Sequence, residues 1–196
     1  MAEKYFISPQ ELLLDSYKLG LKVVESDFHP NLLVGIWRGG TPVGIAVQEF
    51  LKYNKVINDH IAIRTSRYEG MNDTMTKTRV HGLDYIISHV NAQDRLLLVD
   101  DVYDTGLTIM AVIEEMERKM RKNTPQIAVA TVYYKPSKNV TSRKPNFYVH
   151  ETDKWLVFPH ELECLTQEEI RLNKGEEVVK LLQAAKPFSQ AVISST

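Results

Sequence analysis

The 196-residue chain carries 24 Lys+Arg against 25 Asp+Glu, a formal net charge of −1, and is 43% hydrophobic and 25% charged. That balance argues against the basic surface of a nucleic-acid or anionic-membrane binder, and the length suits one domain that buries roughly 70% of its unfolded surface without a metal or disulfide staple. A single cysteine, Cys164, excludes an internal disulfide and fits a reducing compartment.

The opening MAEKYFISPQE lacks the basic region and apolar run of a signal peptide, and no apolar stretch nears the ~20 residues that span a bilayer. A cytoplasmic protein without a membrane partner is expected. Ser8-Pro9-Gln10-Glu11 predicts a helix start, with Ser8 as N-cap, Pro9 in the first turn and Glu11 closing a capping box. Leu13, Tyr17, Leu21 and Val24 follow at helical spacing and predict its apolar face. Residues 32–37 predict a buried strand entering a tight loop at Arg38-Gly39-Gly40, after which Thr41-Pro42 caps a helix through Val47, Phe50 and Leu51. Residues 60–65 alternate as a strand does. Residues 66–82, SRYEGMNDTMTKTRVHG, show no apolar period and predict a long flexible loop, of a length usually functional in a compact domain.

Residues 83–90 accommodate a strand or a short helix. RLLLV at 95–99 is the strongest buried-strand signal; it ends in Asp100-Asp101, and helical spacing resumes from Thr108 to Met120. Residues 127–134 and 146–150 predict further strands. Residues 166–185 predict one or two helices, with Thr166 and Glu169 as a second capping box, and 189–196 a frayed tail. Strands alternating with helices imply an α/β fold with a mostly parallel twisted sheet flanked by helices, in one domain over 1–196. Ligands in such folds sit beyond the carboxyl ends of the strands. Three of these ends carry unusual chemistry: Arg38-Gly39-Gly40, Asp100-Asp101 and Lys135.

The string LLLVDDVYDTGLT, residues 96–108, concentrates that chemistry. A helix starting after such a turn directs free N–H groups and its positive dipole end at whatever lies above, and Gly106 lets the backbone approach closely. Thr105 and Thr108 add hydroxyl donors, so the turn reads as a phosphate cradle. Asp100 and Asp101 are anionic and suit sugar hydroxyls or a hard cation such as Mg²⁺. Phosphate at one end and a diol at the other describe a ribose 5-phosphate. The purely structural alternative is an acidic strand end in which Asp104 or Thr105 caps the next helix. The histidines show no HExxH or Cys-His spacing, and GxxxxGK[ST] and GxGxxG are absent, which argues against a zinc site, a P-loop kinase and a dinucleotide dehydrogenase.

VDDVYDTGLT resembles the phosphoribosyl pyrophosphate (PRPP) signature of type I phosphoribosyltransferases, and residues 30–161 resemble the purine branch, the bacterial hypoxanthine and xanthine-guanine phosphoribosyltransferases. The resemblance implies transfer of phosphoribose from PRPP to a 6-oxopurine with Mg²⁺, release of pyrophosphate, and assembly as a homodimer or homotetramer. By the same resemblance, Asp100 and Asp101 hold the ribose hydroxyls and the metal, and Asp104 faces purine N7 as the catalytic residue. Asp104, Thr105, Gly106, Leu107 and Thr108 cradle the 5-phosphate. Ile36-Trp37-Arg38-Gly39-Gly40 resembles the pyrophosphate loop, where a cis peptide can precede the first glycine; Arg38, Gly39 and Gly40 thereby join the PRPP site.

The 66–82 segment corresponds to a flexible lid in which the family has adjacent Ser-Tyr; this chain has Ser66 and Tyr68 with Arg67 between them. Lys135 resembles the lysine that contacts the purine 6-oxo group. Residues 153–161, DKWLVFPHE, resemble a purine-binding hood in which Trp155 stacks on the base and the Leu156 carbonyl faces its C2 edge. The resemblance builds this hood from the N-terminal and 145–165 segments. Glu161 stands where the family often has an aspartate bearing on metal and pyrophosphate. Two other functions compete: a non-catalytic PRPP- or nucleotide-sensing regulator on the same fold, and a pyrimidine phosphoribosyltransferase.

Overall fold

The computed structural model describes residues 3–68 and 77–185. Its elements run β1 (Lys4–Phe6), α1 (Pro9–Val24), β2 (Leu32–Trp37), α2 (Gly40–Tyr53), β3 (Asp59–Tyr68), β4 (Lys77–His81), α3 (Asp84–His89), β5 (Arg95–Tyr103), α4 (Leu107–Met120), β6 (Gln126–Tyr134), β7 (Phe147–Glu151), β8 (Trp155–Val157), α5 (Gln167–Lys174) and α6 (Glu176–Ala184). Six strands form the central sheet in the order β4-β3-β2-β5-β6-β7. Every neighbouring pair is parallel except β3 with β4. This is the mostly parallel α/β fold expected.

A parallel sheet covered on both faces needs strands that are apolar on both sides, and β5 shows why RLLLV reads as an unbroken run. Leu97 and Val99 join the core formed with Leu12, Leu19, Val23, Val43, Val47 and Leu51 of α1 and α2. Leu96 and Leu98 face the other core, with Ile86 of α3 and Ile109, Val112, Ile113 and Met116 of α4. Among the described residues no helix is long and apolar enough to cross a membrane.

Both capping boxes form. The Ser8 hydroxyl accepts the Glu11 N–H at 3.1 Å, and the Thr166 hydroxyl accepts that of Glu169 at 3.2 Å. The expected apolar face of α1 is overturned: Leu13, Tyr17 and Leu21 are exposed, while Leu12, Leu19, Gly20 and Val23 are buried. The helix carries two apolar stripes, and docking selects the one flanked by Asp15. That carboxylate is buried because His150 on β7 lies 2.8 Å away and Lys18 2.7 Å away.

The segment 66–82 is not one loop either. Its first three residues extend β3 and residues 77–81 form β4, paired antiparallel from Arg64↔His81 to Tyr68↔Lys77. Backbone pairing and the β-branched Thr65, Thr78 and Val80 compensate there for the missing apolar period; the part of the expected loop at 69–76 lies outside the described residues, as does the expected frayed tail at 189–196. Residues 83–90 settle as helix, 166–185 as two helices, and α2 begins at Gly40, just ahead of the expected Thr41-Pro42 cap. β5 runs four residues past Val99, so both aspartates lie within the strand. Two short strands escaped the sequence pattern: β1 pairs in parallel with β8, Lys4 opposite Trp155, as a separate two-stranded sheet. Residues 147–151 of the expected hood segment belong instead to the central sheet.

Candidate active site

The sheet brings the flagged strand ends together. β2 and β5 are neighbours, so the loop leaving β2 meets the carboxylates ending β5. A Cβ added to Gly39 would stand 1.8 Å from Asp101 Oδ2, and one on Gly40 would stand 2.4 Å from the Val99 carbonyl and 3.0 Å from Asp100 Oδ1. Only glycine lets this loop lie on the aspartates. The cis bond is Trp37–Arg38, one bond earlier than the resemblance suggested.

Burial, and then the neighbouring charge of Asp101, push the Asp100 carboxyl well above the usual carboxylate range, against the opposing hydrogen bonds from the Asp101 and Gly40 N–H groups. Burial pushes Asp101 up to about 6; the Val102 N–H draws it back, and the charge of Glu161 adds to the rise. Two adjacent carboxyls with raised pKa values form an under-neutralised pair that a cation or hydroxyl donors would relieve.

The turn after β5 is an uncapped helix start. Gly106 has φ +81° and no side chain caps α4; the Thr105 hydroxyl reaches the Leu107 N–H only at 3.4 Å. The structural alternative of an aspartate or threonine N-cap is therefore not realised. Asp100, Asp101, Asp104, Thr105, Gly106 and Thr108 line an open cavity of about 460 Å³, joined by Lys138. Leu107 lies in this turn with its side chain exposed. β6 pairs with β5 through Tyr134↔Tyr103, and the Lys135 N–H donates to the Tyr103 carbonyl at 3.0 Å, which sets Lys135 beside Asp104. The Lys135 side chain is 7% exposed, and its ammonium contacts Asp104 Oδ2 at 3.0 Å. The ion pair offsets the desolvation of so buried a side chain.

A second cavity, about 230 Å³, gathers Arg38, Trp155, Leu156 and Glu161 with Lys4. Trp155 is 52% exposed, which rules out a core aromatic, whereas Leu156 is buried. Lys4 Nζ lies 6.0 Å from the Trp155 ring centre and 2.7 Å from Glu169 of α5. Glu161 Oε2 accepts the Phe158 N–H at 3.0 Å, and Lys174 of α5 donates to the Phe158 and Pro159 carbonyls at 2.9 and 3.2 Å, so α5 braces this turn.

Ser66 is not brought to the β5 turn: its hydroxyl is 3.1 Å from His81 Nε2 across the β3–β4 ladder. Tyr68 pairs through its backbone with Lys77. No group of three or more His, Cys, Asp or Glu side chains able to hold a metal ion occurs among the described residues, so Glu161 does not complete a protein-only cage with the two aspartates. The pair itself fits Mg²⁺, which usually takes one or two carboxylates plus substrate oxygens and water. Sequence reasoning missed Lys4, Lys138 and Lys174, lysines in segments without any motif.

The mostly parallel α/β sheet thus sets a carboxylate pair and a helix start at adjoining strand ends, the place where ligands sit in such folds. The phosphoribosyl transferase domain family matches residues 10–167, and the chain belongs to that family. It is similar to the purine phosphoribosyltransferase from Pyrococcus horikoshii Ot3, with 27% identity and a TM-score of 0.67 over 83% of this chain and 97% of that one. The Helicobacter pylori xanthine-guanine-hypoxanthine phosphoribosyltransferase shares the fold at 20% identity and a TM-score of 0.59, over 81% and 92% of the two chains. A hypothetical protein from Neisseria gonorrhoeae with bound ppGpp shares it at 19% identity and 0.71, over 89% and 97%. No curated protein matches the sequence.

Proposed function

We propose that the protein transfers the 5-phosphoribosyl group of PRPP to N9 of a 6-oxopurine, releasing pyrophosphate and forming a purine nucleoside 5′-monophosphate in purine salvage. Family and fold support phosphoribosyl transfer. The observation that carries the purine reading is the Lys135–Asp104 pair, a donor and an acceptor 3.0 Å apart at the edge of the sugar-phosphate turn. Purine O6 and N7 lie side by side and ask for that pair. Of the three ammonium protons, one goes to Asp104 and the others remain for O6. Adenine would set its 6-amino donor against the same ammonium. The Pyrococcus horikoshii relative is itself named a purine phosphoribosyltransferase, which supports the same base class.

In this reading Asp100 and Asp101 hold the ribose hydroxyls and Mg²⁺, and the 104–108 turn holds the 5-phosphate, so the sugar stays still while its C1–O bond loosens. When bound, Mg²⁺ supplies positive charge to the departing pyrophosphate. Arg38 and the N–H group of Gly39 face the same leaving group, while Gly40, whose N–H is held by Asp100, lets the loop lie close to the aspartates. Asp104 holds the N7 proton as N9 attacks, a general acid–base role. Trp155 stacks on the base, and the Leu156 carbonyl meets its C2 edge. Ser66 and Tyr68 serve on the lid, which keeps water from the electron-poor sugar.

The test is a base panel with PRPP and Mg²⁺. Nucleoside monophosphate from hypoxanthine, guanine or xanthine, with adenine inert, is expected, and Asp104→Asn should lower kcat on the order of 100-fold or more. Turnover of pyrimidines alone overturns the base assignment. PRPP binding without turnover of any base points to a sensor instead.

A further inference from the structure

We propose that Lys138, on the loop following β6, supplies the cation that neutralises the sugar phosphate in the 104–108 turn. The inference rests on the PRPP reading and adds to it a residue that no motif marks. The turn's own donors are neutral: helix N–H groups and the hydroxyls of Thr105 and Thr108. The cavity around them carries three carboxylates, those of Asp100, Asp101 and Asp104. A phosphate monoester near pH 7 brings about −1.5 to −2 charges more. Lys135 stands close by, but its ammonium is engaged by Asp104. Lys138 is the lysine that lines the same cavity, and no hydrogen bond or ion pair engages its side chain among the described residues.

The backbone that carries Lys138 is built against the turn. The Lys138 and Asn139 N–H groups close on the Lys135 carbonyl at 3.1 and 3.2 Å, and the Val140 N–H donates to the Thr105 carbonyl at 3.1 Å. Tyr103, which packs under Gly106, donates from its hydroxyl to the Arg143 carbonyl at 3.0 Å, and the Thr141 hydroxyl lies 3.0 Å from the Tyr103 hydroxyl. Asn139 Nδ2 donates to the Arg143 carbonyl at 2.8 Å. The loop therefore holds the base of the lysine at the cavity while its four-carbon stem stays free to close on an anion.

The experiment measures ribose 5-phosphate binding by calorimetry and, separately, PRPP kinetics, for wild type, Lys138→Gln, Lys138→Arg and Lys144→Gln. Lys138→Gln should weaken ribose 5-phosphate and raise KM for PRPP by about 10- to 100-fold, the scale of one charge-assisted hydrogen bond, with kcat and KM for the base moving far less. Lys138→Arg should recover most of the loss. Lys144→Gln, which removes a charge from the same loop outside the cavity lining, should not reproduce it. Unchanged ribose 5-phosphate binding in Lys138→Gln overturns the inference while leaving turnover, and hence the purine reading, intact. Wild type that binds ribose 5-phosphate through Lys138 yet turns over no base keeps the inference and overturns that reading. Wild type that does not bind ribose 5-phosphate overturns the inference itself.

Discussion

Replacing Gly106 by alanine isolates the geometry on which the 104–108 turn depends. Two costs add at this position. The left-handed backbone, φ +81°, penalises an L-residue by about 1–2 kcal/mol. The new methyl would also stand 2.6 Å from Tyr103 Cε1, 2.7 Å from its hydroxyl and 2.8 Å from Thr141 Oγ1, all held by the loop behind. Overpacking of that kind costs about 1–3 kcal/mol, for a combined loss of about 2–5 kcal/mol. Gly82 is the control: its φ is +87°, but its added Cβ meets only ordinary contacts at 3.8 Å, so Gly82→Ala should cost about 1–2 kcal/mol. Urea unfolding of both variants reads the difference as a shift in midpoint at constant m-value. If Gly106→Ala were no more destabilising than Gly82→Ala, the tight seating of the turn on Tyr103 and Thr141 would be wrong. Because relief of the overlap must move the turn, KM for PRPP should rise in Gly106→Ala and hold in the control.

Three other perturbations probe the rest of the site. Asp101, raised to about 6 in the folded chain, contributes stability that is full below about pH 4 and is lost as pH rises through 6. At about 1.4 kcal/mol per pH unit the loss is about 3 kcal/mol, so Asp101→Asn should flatten stability between pH 4 and 7 and stabilise the metal-free protein at pH 7.5 while impairing turnover. Urea midpoints in EDTA across that range check this, and an undiminished pH slope refutes it. Trp155→Ala, at a 52% exposed position, should cost under about 1 kcal/mol of stability but raise KM for the base roughly 5- to 150-fold, the worth of base stacking; equal KM values exclude Trp155 from the base site. Lys174→Met removes both donations to the Phe158 and Pro159 carbonyls and should cost about 1–3 kcal/mol by thermal unfolding, whereas an unchanged Tm would show that α5 does not brace the Glu161 turn.

Much of the architecture was legible because its signals are local. Ser8 and Thr166 announce helix starts whose capping boxes form, since a cap is a contract between residues three apart. RLLLV announces a strand buried on two faces, and the string after it announces a turn into a helix, because the two are contiguous in the chain. The same locality explains the errors. Leu13, Tyr17 and Leu21 satisfy helical spacing as well as Leu12, Leu19 and Val23 do, and nothing within α1 says which stripe meets the sheet; His150, 135 residues away, pairs with Asp15 and helps hold that side inward. β1 and β8 are too short to show a period and exist because they pair with each other.

Residue identity thus determined most of the longer secondary elements, the carboxylate pair, the glycine turn and the family. Tertiary structure alone decided which of these meet: Gly39 and Gly40 against the aspartates, Lys135 on Asp104, Lys138 over the turn and Trp155 held open beside Lys4. Strand order is the physical reason, because β2, β5 and β6 become neighbours only when crossover helices cover both faces of the sheet, and no short-range pattern encodes that arrangement.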